Sequence, residues 1–182
     1  SIVRFTKLPV VGIVPGQGQA RPFKNRGFDY SRSEGYVNYK INNNLTIQFG
    51  HGKHFIGNGY RSLILSDNTF SYPFLRLQTN LGIFRYTNLY TEFMDIRNNQ
   101  LSIIDGYQGW SRKYMSLHFL ECEINDRIKI GVFESIIYAE NHAPGVSSLD
   151  INYLNPIIFY RPVEYSIGSP DNALIGIDLK IC

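Results

Sequence analysis

The 182-residue chain holds two cysteines, one tryptophan and two methionines, and each scarcity removes a class of protein. Cys122 and Cys182 allow a single pairing, so no disulfide framework is implied; each sits in an apolar-alternating run, where cysteine acts as a small hydrophobe. No apolar run approaches the roughly 20 residues of a membrane-spanning helix. Charge of one sign never gathers: 18 Lys+Arg stand against 15 Asp+Glu, for a net +3. The most basic stretch, Arg21 to Arg32, is interrupted by Pro22, Gly27 and Asp29. A nucleic-acid binder clusters its basic residues on one face, so no nucleic-acid partner is expected. Gly16-Gln17-Gly18 follows Pro15 in a loop and lacks the strand-to-helix setting of a dinucleotide-binding motif. An initiating Met and a secretory leader are missing too, and the residues Asp178 to Cys182 stop inside a strand pattern. A fragment of a longer chain is expected from this.

Aromatic residues are abundant, with 13 Tyr and 12 Phe. Tyrosine tolerates apolar surroundings while its hydroxyl needs a polar partner, so it gathers at interfaces. The dominant periodicity is two. Leu45, Ile47 and Phe49 alternate with Thr46, Gln48 and Gly50; Met115, Leu117 and Phe119 alternate with Ser116 and His118. Ile128, Ile130 and Val132 alternate with Arg127, Lys129 and Gly131, and Ile175, Ile177, Leu179 and Ile181 with Gly176, Asp178 and Lys180. Such alternation gives each strand one apolar and one polar face.

Turns divide these runs unevenly. Asn42-Asn43-Asn44, Thr79-Asn80-Leu81-Gly82 and Asn125-Asp126 supply residues that tolerate the backbone angles of tight hairpins. They join Tyr36–Ile41 to Leu45–Gly50, Phe74–Gln78 to Ile83–Asp95, and Lys113–Cys122 to Arg127–Tyr138. Between the hairpins lie long polar connections over Leu8–Glu34, His51–Tyr72, Ile96–Arg112 and Ala139–Asn172. With Ile2–Lys7 included, about eight strands are expected, joined by short and long links in alternation. An up-and-down barrel crossing a bilayer has that asymmetry, with short periplasmic turns and long external loops. The predicted fold is therefore all-β: an antiparallel up-and-down transmembrane β-barrel, or a portion of one, over residues 1–182.

Candidate binding residues fall in the loops. In His51 to Asn68, Gly57 and Gly59 permit sharp turns, Arg61 can fork onto a carboxylate or phosphate, and Asn58, Tyr60, Asp67 and Asn68 suit sugar hydroxyls. Equally, Arg61 can pair with Asp67 to fix an ordered loop. Trp110 beside Tyr107 can stack on a sugar ring or anchor at a membrane interface. In Asn152 to Tyr165, Pro156 and Pro162 argue against a central strand, and the segment is expected to be covered, with Arg161 and Glu164 bound to each other or to a ligand. His51 and His54 lack the companions of a metal site. Ser116 and His118 share one strand face, a spacing that alternation alone explains, and no positioned acid accompanies them.

Phe49-Gly50-His51-Gly52-Lys53, Phe55-Ile56-Gly57-Asn58-Gly59-Tyr60-Arg61-Ser62-Leu63-Ile64-Leu65-Ser66-Asp67, Tyr86-Thr87-Asn88-Leu89-Tyr90 and Asn152-Tyr153-Leu154-Asn155-Pro156-Ile157-Ile158-Phe159-Tyr160-Arg161-Pro162-Val163-Glu164 form long motifs, with Gly168-Ser169-Pro170-Asp171-Asn172 behind them. They resemble the capsule-assembly Wzi-like proteins, in particular the branch called gliding motility protein RemB, from about Val14 onward. The resemblance implies a bacterial outer-membrane barrel, longer than this chain. One branch is thought to act as a lectin holding capsular polysaccharide at the cell surface; the other is linked to gliding. The expected partners are extracellular or capsular polysaccharide, outer-membrane lipid and a surface or motility protein. No catalysis, cofactor or metal is expected. The rival readings are an accessory barrel binding a protein, a soluble all-β carbohydrate-binding module, and a membrane-embedded hydrolase using Ser116 and His118.

Overall fold

A computed structural model describes residues 12–14, 16–24, 27–60, 62–95, 102–104, 107–109, 111–139, 155–156 and 172–181. Its strands are β1 (Gly12–Val14), β2 (Gly18–Phe23), β3 (Gly27–Asp29), β4 (Gly35–Lys40), β5 (Leu45–Gly52), β6 (Tyr72–Leu81), β7 (Phe84–Asp95), β8 (Ser102–Ile104), β9 (Tyr107–Gly109), β10 (Ser111–Asn125), β11 (Ile128–Ala139) and β12 (Asn172–Ile181). Seven of them form one antiparallel sheet in the order β12-β11-β10-β7-β6-β5-β4. Chain order is kept across the sheet, so this is an up-and-down meander.

The tight links sit where the sequence asks for them. Asn42 Oδ1 accepts from the backbone N–H of Asn44 and Leu45 at 2.9 and 2.8 Å. Asn125 Oδ1 does the same for Arg127 and Ile128, each at 2.9 Å. Gly82 takes φ +60° at the third turn, a region open to glycine at little cost. Because strands alternate in direction, these three turns share one end of the sheet. The links 53–71, 96–110 and 140–171 all leave from the other.

Several expectations need correction. Among the described residues the sheet is open and not closed into a barrel, with β4 and β12 at its edges. The connection Leu8–Glu34 contains the small meander β1-β2-β3, and Ile96–Arg112 contains the hairpin β8-β9. These strands are mostly three residues long and set among Gly and Pro, too short to show a period. The proposed strand Ile2–Lys7 lies outside the described residues. β4 and β5 remain short, whereas β7, β10 and β11 run 12, 15 and 12 residues.

Register decides which face each side chain occupies. One face carries, rung by rung across β4, β5 and β6, Tyr36–Gly50–Phe74, Asn38–Gln48–Arg76 and Lys40–Thr46–Gln78. On β7, β10 and β11 the same face carries Leu89, Met115, Leu117, Phe119 and Phe133. The link 53–71 folds down over these apolar residues. Ile56, Ile64 and Leu65 pack on the core of Tyr72, Phe74, Leu89, Met115, Leu117, Phe119 and Phe133. The apolar side of β10 thus lies beneath a loop and is not bare, a departure from the simple division of apolar side outward and polar side inward. Phe119 leans diagonally over Gly131, and Phe133 covers Gly176 directly opposite, where a methyl group would come within 2.5 and 2.6 Å of the rings. The second face is aliphatic towards the tight turns. It carries Val37, Tyr39, Phe49, Leu81, Phe84, Ile130, Ile175, Ile177, Leu179 and Ile181, all exposed.

Candidate functional site

A polar trough runs along β4, β5 and β6 on the face that bears Arg76. Its lower part, a cavity of about 260 Å³, is lined by Asn38, Thr46, Gln48, Arg76 and Gln78. The upper part, about 320 Å³, shares Gln48 and Arg76 and adds Glu34, Tyr36, Lys53 and His54. Alternation on three paired strands brings these side chains to one side, and Gly50 leaves the floor open: a side chain there would come within 2.6 Å of Tyr36 Cα and Cβ. Tyr36 is 64% exposed and offers its ring to the trough.

Arg76 is the charged centre. Its Nη2 donates to Gln78 Oε1 at 2.8 Å, while Nε is buried with no acceptor. Among the described residues no salt bridge neutralises it. The carboxylate sharing the upper cavity is already committed, since Glu34 accepts from Arg32 Nε and Nη2 at 3.0 and 2.9 Å and from Ser71 Oγ at 2.6 Å. Those hydrogen bonds, Arg32 first and Ser71 second, hold the Glu34 carboxyl down at about 2. His54 sits edge-on to Phe74, centroids 4.2 Å apart, and its backbone N–H donates to Tyr72 Oη at 3.1 Å. Burial, with the Arg76 charge second, lowers the imidazole to about 4. Lys53 Nζ reaches Gly16 O at 2.5 Å and ties the small meander to the main sheet. Side-chain amides, an aromatic face and an unneutralised guanidinium together suit sugar hydroxyls and an anionic substituent.

The structure scatters the loop residues expected to bind. Asn58 donates to Asp178 on β12, fastening the loop across the sheet. Tyr60 is 96% exposed, and Asp67 is exposed nearby. Asn68 stands at the rim of a cleft of about 950 Å³ lined also by Leu63, Phe70, Phe93, Met115 and Leu174. Arg61, Trp110, Arg161 and Glu164 lie outside the described residues, and the suggested Arg61–Asp67 pair with them. Ile56 and Leu65 form a bridge, and Ser62 Oγ donates to Ile56 O while accepting from Ile64 N and Leu65 N at 3.0 and 3.3 Å. His51 and His54 both border the upper cavity but keep separate partners: His51 Nδ1 lies 2.8 Å from Ser33 O, while His54 packs on Phe74. Among the described residues no three His, Cys, Asp or Glu side chains converge as metal ligands.

On the opposite face Ser116 and His118 do meet. Ser116 Oγ lies 3.2 Å from His118 Nε2, and His118 Nδ1 lies 2.8 Å from Asn88 Oδ1 on β7 and 3.0 Å from Tyr86 Oη. An imidazole protonated at Nδ1 satisfies these contacts, with Ser116 donating to Nε2. Tyr86 Oη donates to Pro156 O at 2.6 Å, so the proline segment reaches this face. Glu134 stands directly opposite His118 on β11. The order resembles a serine–histidine–amide relay, with Asn88 as the third member. It is sealed, however: Ser116 is 1% and His118 0% exposed, so no carbonyl reaches the hydroxyl in this conformation. Its geometry suits a hydrogen-bonded core.

Arg76, Gln48, Gln78 and Asn38 escaped the sequence reading, which placed only Gln48 among them on a face, the polar side of an alternating strand. The available signal was an arginine at mid-strand two residues before a glutamine, Arg76 and Gln78, with Gln48 on the preceding strand. No family model, curated protein or solved structure matches the chain.

Proposed function

We propose that this chain is a wall segment of a bacterial outer-membrane β-barrel that holds surface polysaccharide, and that it does so by binding and without chemistry. The division of the sheet's tight-turn half carries the reading. There Leu81, Phe84, Ile130, Ile177 and Leu179 stand exposed on one face, while Lys40, Thr46, Gln78, Arg85, Glu121 and Lys129 occupy the other. A water-soluble sheet leaves bare only scattered apolar residues, whereas a lipid-facing wall needs a continuous band of them. Long links gathered at one end agree with external loops, and the likeness to Wzi-like and RemB-like proteins points the same way. The polysaccharide lies along the trough, where Tyr36 stacks on a ring and the amides of Asn38, Gln48 and Gln78 hydrogen-bond its hydroxyls.

Heat-modifiable gel mobility of the detergent-extracted full-length protein, of which this chain is a wall segment, tests the barrel. A closed sheet resists cold detergent because it has no free edge, so unheated and boiled samples migrate differently. Full solubility without detergent, together with a single band, counts decisively against the membrane. Retention of surface polysaccharide on immobilised protein tests the binding half; capture of a stoichiometric protein without glycan favours an accessory role in motility or secretion.

A further inference from the structure

Resting on that reading, we propose that the trough selects an anionic polysaccharide and that Arg76 is the subsite for the carboxylate of a uronic-acid residue. Among the described residues, Arg76 is a guanidinium on a strand with a buried Nε that has no acceptor and with no carboxylate in salt-bridge range. Arg76 lines both cavities without a counter-charge in range, and partly burying a cation unpaired is costly, so an anion entering the trough offsets that cost. A neutral sugar recovers one hydrogen bond there. A carboxylate supplies both charge and acceptors, and the fork of an arginine matches its two oxygens.

The surroundings favour the anion further. Glu34, the acid bordering the upper cavity, is neutralised by Arg32 and further occupied by a hydrogen bond from Ser71. Gln78 holds Arg76 through its carbonyl oxygen and leaves its amide nitrogen for a ligand. The two cavities meet at Gln48 and Arg76, so a carboxylate there sits mid-way along a bound chain, with neighbouring sugars toward Tyr36 above and Thr46 below. Acidic capsular and exopolysaccharides carry such groups at regular intervals. A phosphate would satisfy the same guanidinium, and the test separates the two.

The test uses the full folded chain in detergent and isothermal titration with trigalacturonate, its carboxyl-reduced neutral counterpart and inorganic phosphate. Trigalacturonate should bind at least tenfold tighter than either of the others. Arg76→Gln should reduce that affinity at least tenfold and abolish the preference for the acidic over the neutral trimer. Gln78→Glu, which places a carboxylate beside Arg76 from within the protein, should give the same loss without removing the cation and guards against a folding defect in the first variant. Equal affinity for acidic and neutral trimers overturns the anionic subsite and leaves polysaccharide binding standing. Phosphate binding as tightly as trigalacturonate assigns the site to a phosphate-bearing headgroup and overturns it too. Unchanged trigalacturonate affinity in both variants removes Arg76 from the site. No binding of any probe by protein that still shows heat-modifiable mobility overturns the inference while sparing the barrel; a single band with intact Arg76-dependent binding does the reverse.

Discussion

Ser62 and His54 show how single residues shape the loop over the sheet. Ser62 Oγ serves Ile56, Ile64 and Leu65 at once, and Gly57 opposite it takes φ +119°, a conformation an L side chain adopts only under strain. Ser62→Ala should destabilise the loop by about 1–2 kcal/mol, read as faster hydrogen exchange at Ile64 and Leu65 with the strand amides unchanged. His54 makes the same loop sensitive to acid. Its imidazole is held neutral, down at about 4 from an ordinary 6.5, so protonation favours the released loop. The stabilisation is therefore complete above pH 6.5 and lost as the pH falls towards 4. His54 is only half-buried, and with screening the effect shrinks to on the order of tenfold faster exchange at Ile56 and Leu65. His54→Gln should abolish that pH dependence; its persistence would assign the sensitivity elsewhere.

Among the elements, the hairpins were the legible part. Asparagine at Asn42 and Asn125 marked two tight turns because its side-chain oxygen can cap the next backbone donors, and the structure has it do so. Replacing either with Ala should lower stability by about 1 kcal/mol in denaturant unfolding, since an acceptor for two backbone N–H groups is lost. The strands β5, β10, β11 and β12 carried alternation that could be read, whereas β7 alternates poorly, with aromatics on both of its faces. β1, β2, β3, β8 and β9 offered none, because three to six residues broken by Gly and Pro carry no repeat. The trough was illegible for another reason. Gln48 and Arg76 become neighbours only through register, and alternation fixes the face of a residue without fixing its partner across the ladder. The same holds for Asn88, which joins Ser116 and His118 by the pairing of β7 with β10.

For the whole molecule, the two faces should answer a new charge in opposite ways. Phe49→Lys puts an ammonium into the aliphatic band and should cost about 2–4 kcal/mol in vesicle-embedded protein if that band meets lipid near mid-membrane. Asn38→Lys, one residue along the paired rung on the trough side, should fold with wild-type stability. Equal tolerance of both would place the band in water. The membrane reading came from loop asymmetry and strand alternation, and the loop fastened over β10 was beyond both, because Met115, Leu117 and Phe119 are as apolar as any lipid-facing row. Those phenylalanines have a consequence of their own. Phe119 and Phe133 each occupy the space a side chain would take at Gly131 and Gly176, one step after another across β10, β11 and β12. Slide β12 by two residues and Phe133 meets Leu174 or Asp178, where no vacancy exists. The ring-and-gap staircase therefore works as a key cut for one alignment, so β12 can enter the ladder in a single position.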